Sequence, residues 1–257
     1  MSASSPTRPR ILVTNDDGYD APGLRALVEM LEPLGDLVVA APDREQSGSS
    51  HALTLELPLR VTRVGDGRFR ISGTPTDCVH LAVFSLTGGR LPDLVVSGIN
   101  RGLNVGDDVI YSGTVAGAME GALLHVPSLA LSAAIDERGN VDYARHGEFV
   151  RGLVTQLLER GLGDGVLLNV NFPATAPRGV RVTRQGTRRY RATAVERVDP
   201  SGRPYFWIAG ADVAPTGEPD GDHRAIAEQR ISVTPLHTDL THAPTRDRLG
   251  EWGLGEG

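Results

Sequence analysis

The chain predicts a doubly wound α/β fold: a mainly parallel sheet with helices on both faces and a β-hairpin arm protruding toward the C-terminus. Three observations carry that expectation. Short apolar runs of strand type, beginning at Ile11 and recurring at 37–41, 93–97, 128–132 and 166–171, alternate with stretches of helical periodicity. Loops rich in glycine and polar side chains come directly after several of the strands. After Phe172 the alternation stops and charged segments of strand character begin.

Taken in order, residues 1–9 read as a loose tail, and the run from Ile11 ends abruptly at Asn15-Asp16-Asp17-Gly18. Neighbouring side chains on a strand face opposite ways, so Asp16 and Asp17 can serve one centre only if the backbone has already left the strand, and Gly18 permits that turn. Asp20 is placed to cap a helix opened by Pro22, in which Leu24, Leu27, Val28 and Leu31 share one face and which runs to about Gly35. The strand at 37–41 leads to a loop holding Asp43, Glu45, Ser47, Ser49 and Ser50. Residues 53–64 read as strands, turning at Gly65-Asp66-Gly67 into a return over 68–72. Thr74 and Pro75 start a helix with Val79, Val83 and Leu86 on its apolar side.

After the strand at 93–97 comes Ser-Gly-Ile-Asn-Arg-Gly-Leu-Asn-Val-Gly, with Asn100 and Asn104 between glycines. Tyr111-Ser112-Gly113-Thr114 then opens a helix of small residues over 115–125, whose free N–H groups make an anion site, with Ser112 or Thr114 alternatively serving as an ordinary cap. A helix over 143–160 follows the strand at 128–132. Residues 180–183, 189–198 and 205–209, with a turn at Asp199-Pro200-Ser201-Gly202, read as a long charged hairpin. Such an arm has too little core of its own and calls for an oligomer, with Tyr205 and Trp207 as interface contacts. A short helix at 222–228 and a last strand at 230–234 precede a Gly-rich end after Leu249, read as disordered. The expected organisation is one domain over 10–237, its core at about 10–172 and its arm and closing strand at about 178–237, followed by a tail over 238–257.

Composition narrows the function. A net charge of −6 leaves no broad basic surface for stable nucleic-acid binding. No run is long enough to cross a bilayer, and the N-terminus lacks the apolar segment of a signal peptide, so a cytoplasmic location is expected. Cys78 is the only cysteine and is read as a packed helix residue. All 26 basic residues are arginine. The absence of lysine excludes a Walker P-loop, and it removes the lysine that receiver domains and haloacid-dehalogenase-type phosphatases use.

Two carboxylates, serine hydroxyls and asparagine amides form a hard oxygen set, suited to Mg²⁺, Mn²⁺ or Ca²⁺ rather than zinc. A divalent ion would let both aspartates ionise side by side and would suit a phosphate held at the N-terminus of the following helix. That chemistry is phosphoester hydrolysis with a metal-activated water. The alternatives are a capped acidic turn without a metal, and a non-catalytic module that binds metal or nucleotide to regulate a partner. His51, Arg101, Asp43, Asp107 and Asp108 are secondary candidates, each as readily a structural or solvated residue, while His80 reads as structural or exposed.

Four blocks, Asn15-Asp16-Asp17-Gly18, Ala41-Pro42 through Ser47-Gly48, Ser97-Gly98-Ile99-Asn100-Arg101-Gly102-Leu103-Asn104 and Tyr111-Ser112-Gly113-Thr114-Val115, resemble in order and separation those of the SurE family of metal-dependent 5'/3'-nucleotidases. Ile231-Ser232-Val233-Thr234-Pro235-Leu236 resembles the family's closing strand. The resemblance implies a Rossmann-like core and one divalent cation per subunit, Mg²⁺ or Mn²⁺. Asp16, Asp17, Ser47 and Asn100 would hold that cation. Asp16, Asp17 and Asn100 would form the catalytic set, with Asn104, Ser112, Gly113 and Thr114 around the phosphate. Substrates would be nucleoside monophosphates, with short polyphosphate left open, and the assembly a homodimer or homotetramer. The chain departs from the pattern in the order Ala116-Gly117 and in an elongated acidic loop over 210–222, neither of which touches the implied ligands.

Overall fold

The first strand, β1 (Arg10–Thr14), is central because its side chains are apolar on both faces: Ile11 and Val13 enter one core and Leu12 the other. The computed structural model describes residues 8–187, 190–212 and 218–252. Helix α1 (Pro22–Leu31) buries Leu24, Leu27, Val28 and Leu31 on one face of the sheet. It stops short of Gly35 because Glu32, still helical, is followed by Pro33, which has no N–H to carry the helical ladder on. Asp20 does not cap this helix. Ala21 holds the cap position with no side-chain bond, and Asp20 pairs with Arg70 at 2.6 Å instead.

Strands β2 (Asp36–Pro42), β3 (Val61–Gly65) and β4 (Arg68–Ile71) complete one flank. The strand expected before Val61 does not form, although Leu53, Leu55 and Leu57 alternate. The Thr54 N–H goes to Asp77 Oδ1 at 2.8 Å and its hydroxyl to Oδ2 at 2.7 Å, while Pro58 has no N–H to give a ladder. Thr74 caps α2 (Pro75–Leu81) through a reciprocal bond with Asp77. Strand β5 (Leu94–Arg101) runs past the expected end at Ser97 by bulging against β6 (Ser128–Ala133), into which Gly98, at φ +136°, fits because a Cβ would run into the Leu131 carbonyl. A short helix α3 (Asp108–Tyr111) precedes α4 (Gly113–Leu123), and α5 (Gly147–Arg160) precedes β7 (Val166–Phe172).

Beyond Phe172 the structure corrects the expected hairpin. Strand β8 (Val180–Val182) is no part of it. It pairs in parallel with β11 (Ile231–His237) at the edge of the main sheet, which it joins because β11 lies antiparallel to β7 and offers its other side. The hairpin consists of β9 (Tyr190–Val198) and β10 (Pro204–Asp212) alone, a separate two-stranded sheet. Arg189, read as the start of that strand, the middle of the acidic loop at 213–217, the tail at 1–7 and the end at 253–257 lie outside the described residues. Helix α6 (Asp222–Ala227) forms as expected, while the segment read as a C-terminal tail carries α7 (Ala243–Gly250), which buries none of its residues.

The described strands of the main sheet run in the order β3-β4-β2-β1-β5-β6-β7-β11-β8, parallel from β4 through β7. Helices α1 and α5 share the core on one face, and α2 and α4 line the other. From β1 the chain winds first to β2 and later to β5 on the opposite side, so the switch point lies between the carboxyl ends of β1 and β5, where open α/β sheets leave a crevice for ligands.

Candidate metal and phosphate site

Past Thr14 the chain turns, and the Asn15 amide donates to the Gly18 carbonyl at 2.9 Å to close that turn. Gly18 sits at φ +97° with the Arg44 backbone against it, so the 43–50 loop packs directly on the acidic turn. The Gln46 N–H donates to the Asp16 carbonyl at 2.8 Å and ties the two together.

Asp16 is 4% exposed, and its Oδ1 accepts the Thr114 hydroxyl proton. Asp17 is half-buried, and its Oδ2 accepts the Arg101 N–H at 3.1 Å. The end of β5 is thereby fastened to the end of β1 across the switch point. Burial pushes the Asp16 carboxyl above its ordinary value, although the Thr114 hydroxyl works the other way. Burial, followed by the neighbouring Asp16 charge, pushes Asp17 up to about 6. Glu45 adds to the negative field on both.

The first turn of α4 lies on Asp16. A Cβ on Gly113 would sit 2.8 Å from Asp16 Cβ and 2.9 Å from Ser49 Oγ, so the glycine is what allows the approach. Ser112 caps α4 by accepting the Val115 N–H at 3.1 Å, which leaves the Ser112 proton able to donate. Thr114 has spent its proton on Asp16, so it orients the carboxylate rather than donating to a phosphate. With the Val115 N–H spent on Ser112 and the Thr114 N–H on Asp16, the anion-binding capacity of this helix end lies in the Gly113 N–H and in Ser112.

The remaining residues of the expected set are placed as follows. Ser47 is exposed and donates to Glu45 Oε1 at 2.9 Å. Asn100 donates its amide nitrogen to the Gly102 carbonyl at 3.1 Å, a bond that does not engage its carbonyl oxygen, the atom a cation would take. Asn104 is turned into the protein: its amide donates to Ser132 Oγ at 2.7 Å, its N–H to Asn171 Oδ1 at 2.8 Å, and its carbonyl accepts from Asn169 and Asn171. His51 and His80 flank Glu120 of α4 with ring nitrogens at 3.0 Å from its two oxygens. Arg101 extends its guanidinium to the Gly139 carbonyl at 2.9 Å.

A divalent cation fits what is present. Two desolvated carboxylates repel each other, both are shifted toward holding protons, and the Ser49 hydroxyl beside them is buried with no hydrogen-bond partner among the described residues. No cluster of three or more His, Cys, Asp or Glu suited to a metal occurs among the described residues, so the acidic pair would be completed by neutral oxygens, a donor set for a hard ion rather than zinc. Glu120 and the Asn169/Asn171 pair do not stand out in the sequence, and Ser49 stands there only as one hydroxyl among several in the 43–50 loop. The asparagine pair had a signal all the same, since two asparagines two apart on a buried strand point to the same face.

Residues 11–192 match the family described as Survival protein SurE. The chain is 49% identical over 245 residues to "5'-nucleotidase SurE" of Syntrophotalea carbinolica, covering 95% of this chain and 97% of that one. It is equally identical to the protein of that name from Myxococcus xanthus, covering 95% and 93%. The crystal structure of the SurE protein from Aquifex aeolicus superposes with a TM-score of 0.84 at 40% identity, covering 95% of this chain and all of that one. A chain that carries the acidic turn at this switch point, and matches these proteins along nearly its whole length, belongs to the SurE family.

Proposed function

We propose that the protein is a divalent-metal-dependent phosphatase that hydrolyses nucleoside 5'- and 3'-monophosphates to nucleoside and phosphate. The observation that carries this reading is the pair of desolvated carboxylates, Asp16 and Asp17, at the switch point, with Asp16 seated against the N-terminus of α4. The name 5'-nucleotidase borne by the relatives supports the nucleotide as substrate.

Asp16, Asp17, Ser47 and Asn100 would hold one Mg²⁺ or Mn²⁺ per subunit. When bound, such an ion polarises a phosphoryl oxygen and acidifies a water. The chain's own residues do the positioning. Thr114 fixes the orientation of Asp16, and the Arg101 N–H fixes Asp17. The Gly113 N–H of the first turn of α4 and the Ser112 hydroxyl offer donors to the phosphate oxygens, where charge grows as the ester bond breaks. Because water is the nucleophile, no covalent enzyme intermediate is required.

The reading extends to assembly and location. Phe206, Trp207 and Ile208 on β10 are 61%, 64% and 95% exposed, which supports burial of the arm against further copies of the chain. Among the described residues no helix is long and apolar enough to cross a membrane, and the lone Cys78 is buried, both compatible with a cytoplasmic enzyme.

The test is phosphate release from a panel of 5'- and 3'-nucleoside monophosphates with Mg²⁺ or Mn²⁺, repeated with EDTA. Turnover that EDTA abolishes supports the proposal. Nucleotide binding without turnover under any metal would overturn it in favour of a binding module.

A further inference from the structure

The carboxylate of Asp222 is fully buried and stands outside the acidic site. It is held by three backbone N–H groups from three separate segments: Gly106 at 2.8 Å, Gly186 at 3.1 Å and its own neighbour His223 at 2.7 Å. Gly106 belongs to the loop that leaves β5 at the rim of the site. Its carbonyl accepts the Gln185 side-chain amide at 2.9 Å, so Gly106 is gripped through both its N–H and its C=O. Both gripping residues lie where the hairpin arm is rooted: the chain departs toward β9 after Gly186 and comes back to α6 at Asp222. The two sides of this root are stitched to each other, Arg184 N–H to the Asp220 carbonyl and Asp222 N–H to the Arg184 carbonyl, each at 3.0 Å. The fit is close, because a Cβ on Gly186 would come within 2.8 Å of Asp222 Oδ1.

We infer that Asp222 and Gln185 are positioning residues, forming a clamp through which the root of the hairpin arm sets the geometry of the 102–106 loop and hence the affinity for substrate. The loop has few other anchors toward the C-terminal half. Asn104 is fixed to β7 through Asn169 and Asn171, and Gly106 is fixed to the arm root by the clamp. Downstream of Gly106 the chain passes through α3 into Ser112 and the phosphate-facing turn of α4. A displacement of the arm root therefore reaches the substrate side of the site first, while the β1 backbone that carries the acidic turn lies outside the clamp. The inference rests on the nucleotidase reading for its kinetic readout, and on hydrogen bonding alone for its structural one.

The experiment compares the full-length protein with Gln185→Ala and Asp222→Asn. The second variant turns an acceptor into a donor facing an N–H group. Each is measured for KM and kcat with a nucleoside monophosphate and Mn²⁺, for thermal midpoint, and for amide hydrogen exchange of the peptide covering 102–108. Gln185→Ala loses one neutral hydrogen bond, so KM is expected to rise roughly three- to tenfold with kcat nearly unchanged. Exchange over 102–108 should speed up while that of β1 and α1 does not. A general loss of fold would lower the midpoint and hasten exchange everywhere instead. Unchanged exchange over 102–108 in both variants, or activity falling only with the folded fraction, would overturn the clamp. If the wild type itself turns nothing over, the nucleotidase reading fails, and the exchange result still decides the clamp.

Discussion

The Thr114 hydroxyl donates to Asp16 Oδ1, joining the first turn of α4 to the acidic turn after β1 across 98 residues of sequence. This bond decides what each partner can do. It keeps a buried carboxylate in one orientation, and it removes Thr114 from the list of donors to a phosphate.

Replacing Thr114 with valine keeps the shape and deletes the donor. A hydrogen bond to a charged group contributes about 1.5–3 kcal/mol, so kcat/KM should fall roughly ten- to a hundredfold. Thr114→Ser should restore most of the loss. Steady-state kinetics on the three proteins checks this, and an unimpaired Thr114→Val would show that the bond has no part in catalysis.

Gly113→Ala is the complementary test. In an open helix the change would add stability, since alanine is favoured over glycine by about 1 kcal/mol. Here the added methyl would lie 2.8 Å from Asp16 Cβ and 2.9 Å from Ser49 Oγ, closer than such atoms pack. The thermal midpoint should therefore fail to rise, and kcat/KM should fall roughly tenfold or more, the effect of about 1.4 kcal/mol at the transition state. A more stable, fully active variant would contradict the packing described.

These two residues show what the sequence made legible and what it did not. The acidic turn, the loop at 43–50 and the glycine-flanked Ser112 to Thr114 segment all stand out locally, because each breaks a regular strand or helix with unusual residues. Their joining is not local. The Arg101 N–H reaches Asp17 from 84 residues away only because β5 bulges, and periodicity carries no trace of a bulge. The same holds for 53–59, where alternating leucines imitate a strand until Asp77 takes the Thr54 N–H. Asp222 reads as the start of a short helix, and its burial among three N–H groups appears only once the arm root is folded.

Acid and neutral pH should act on the metal-free protein with opposite signs, through the raised acidic pair Asp16 and Asp17 on one side and His146 on the other. Burial raises Asp17 from 3.8 to about 6, so its contribution to stability is present below 3.8 and is lost as pH climbs through 6. His146, stacked on Phe172 at 4.1 Å, is lowered by burial from 6.5 to about 4, so stability is lost as pH drops from 6.5 toward 4. Thermal midpoints measured in EDTA from pH 4 to 8 should resolve the two. Asp17→Asn should flatten the fall toward neutrality, and His146→Phe should flatten the fall toward acid. A pH profile that neither variant changes would contradict the burial of these groups.

In the proposed function Asp16 and Asp17 together hold the divalent ion on which phosphate release depends. The most direct measurement is calorimetric titration of Mn²⁺ into the wild type, Asp16→Asn and Asp17→Asn, with phosphate release followed on the same samples. One ion per chain is expected in the wild type, with loss of that binding in both variants. Turnover should fall roughly a thousandfold or more in each, with circular dichroism unchanged. Variants that bind Mn²⁺ as the wild type does and still release phosphate at its rate would contradict that role.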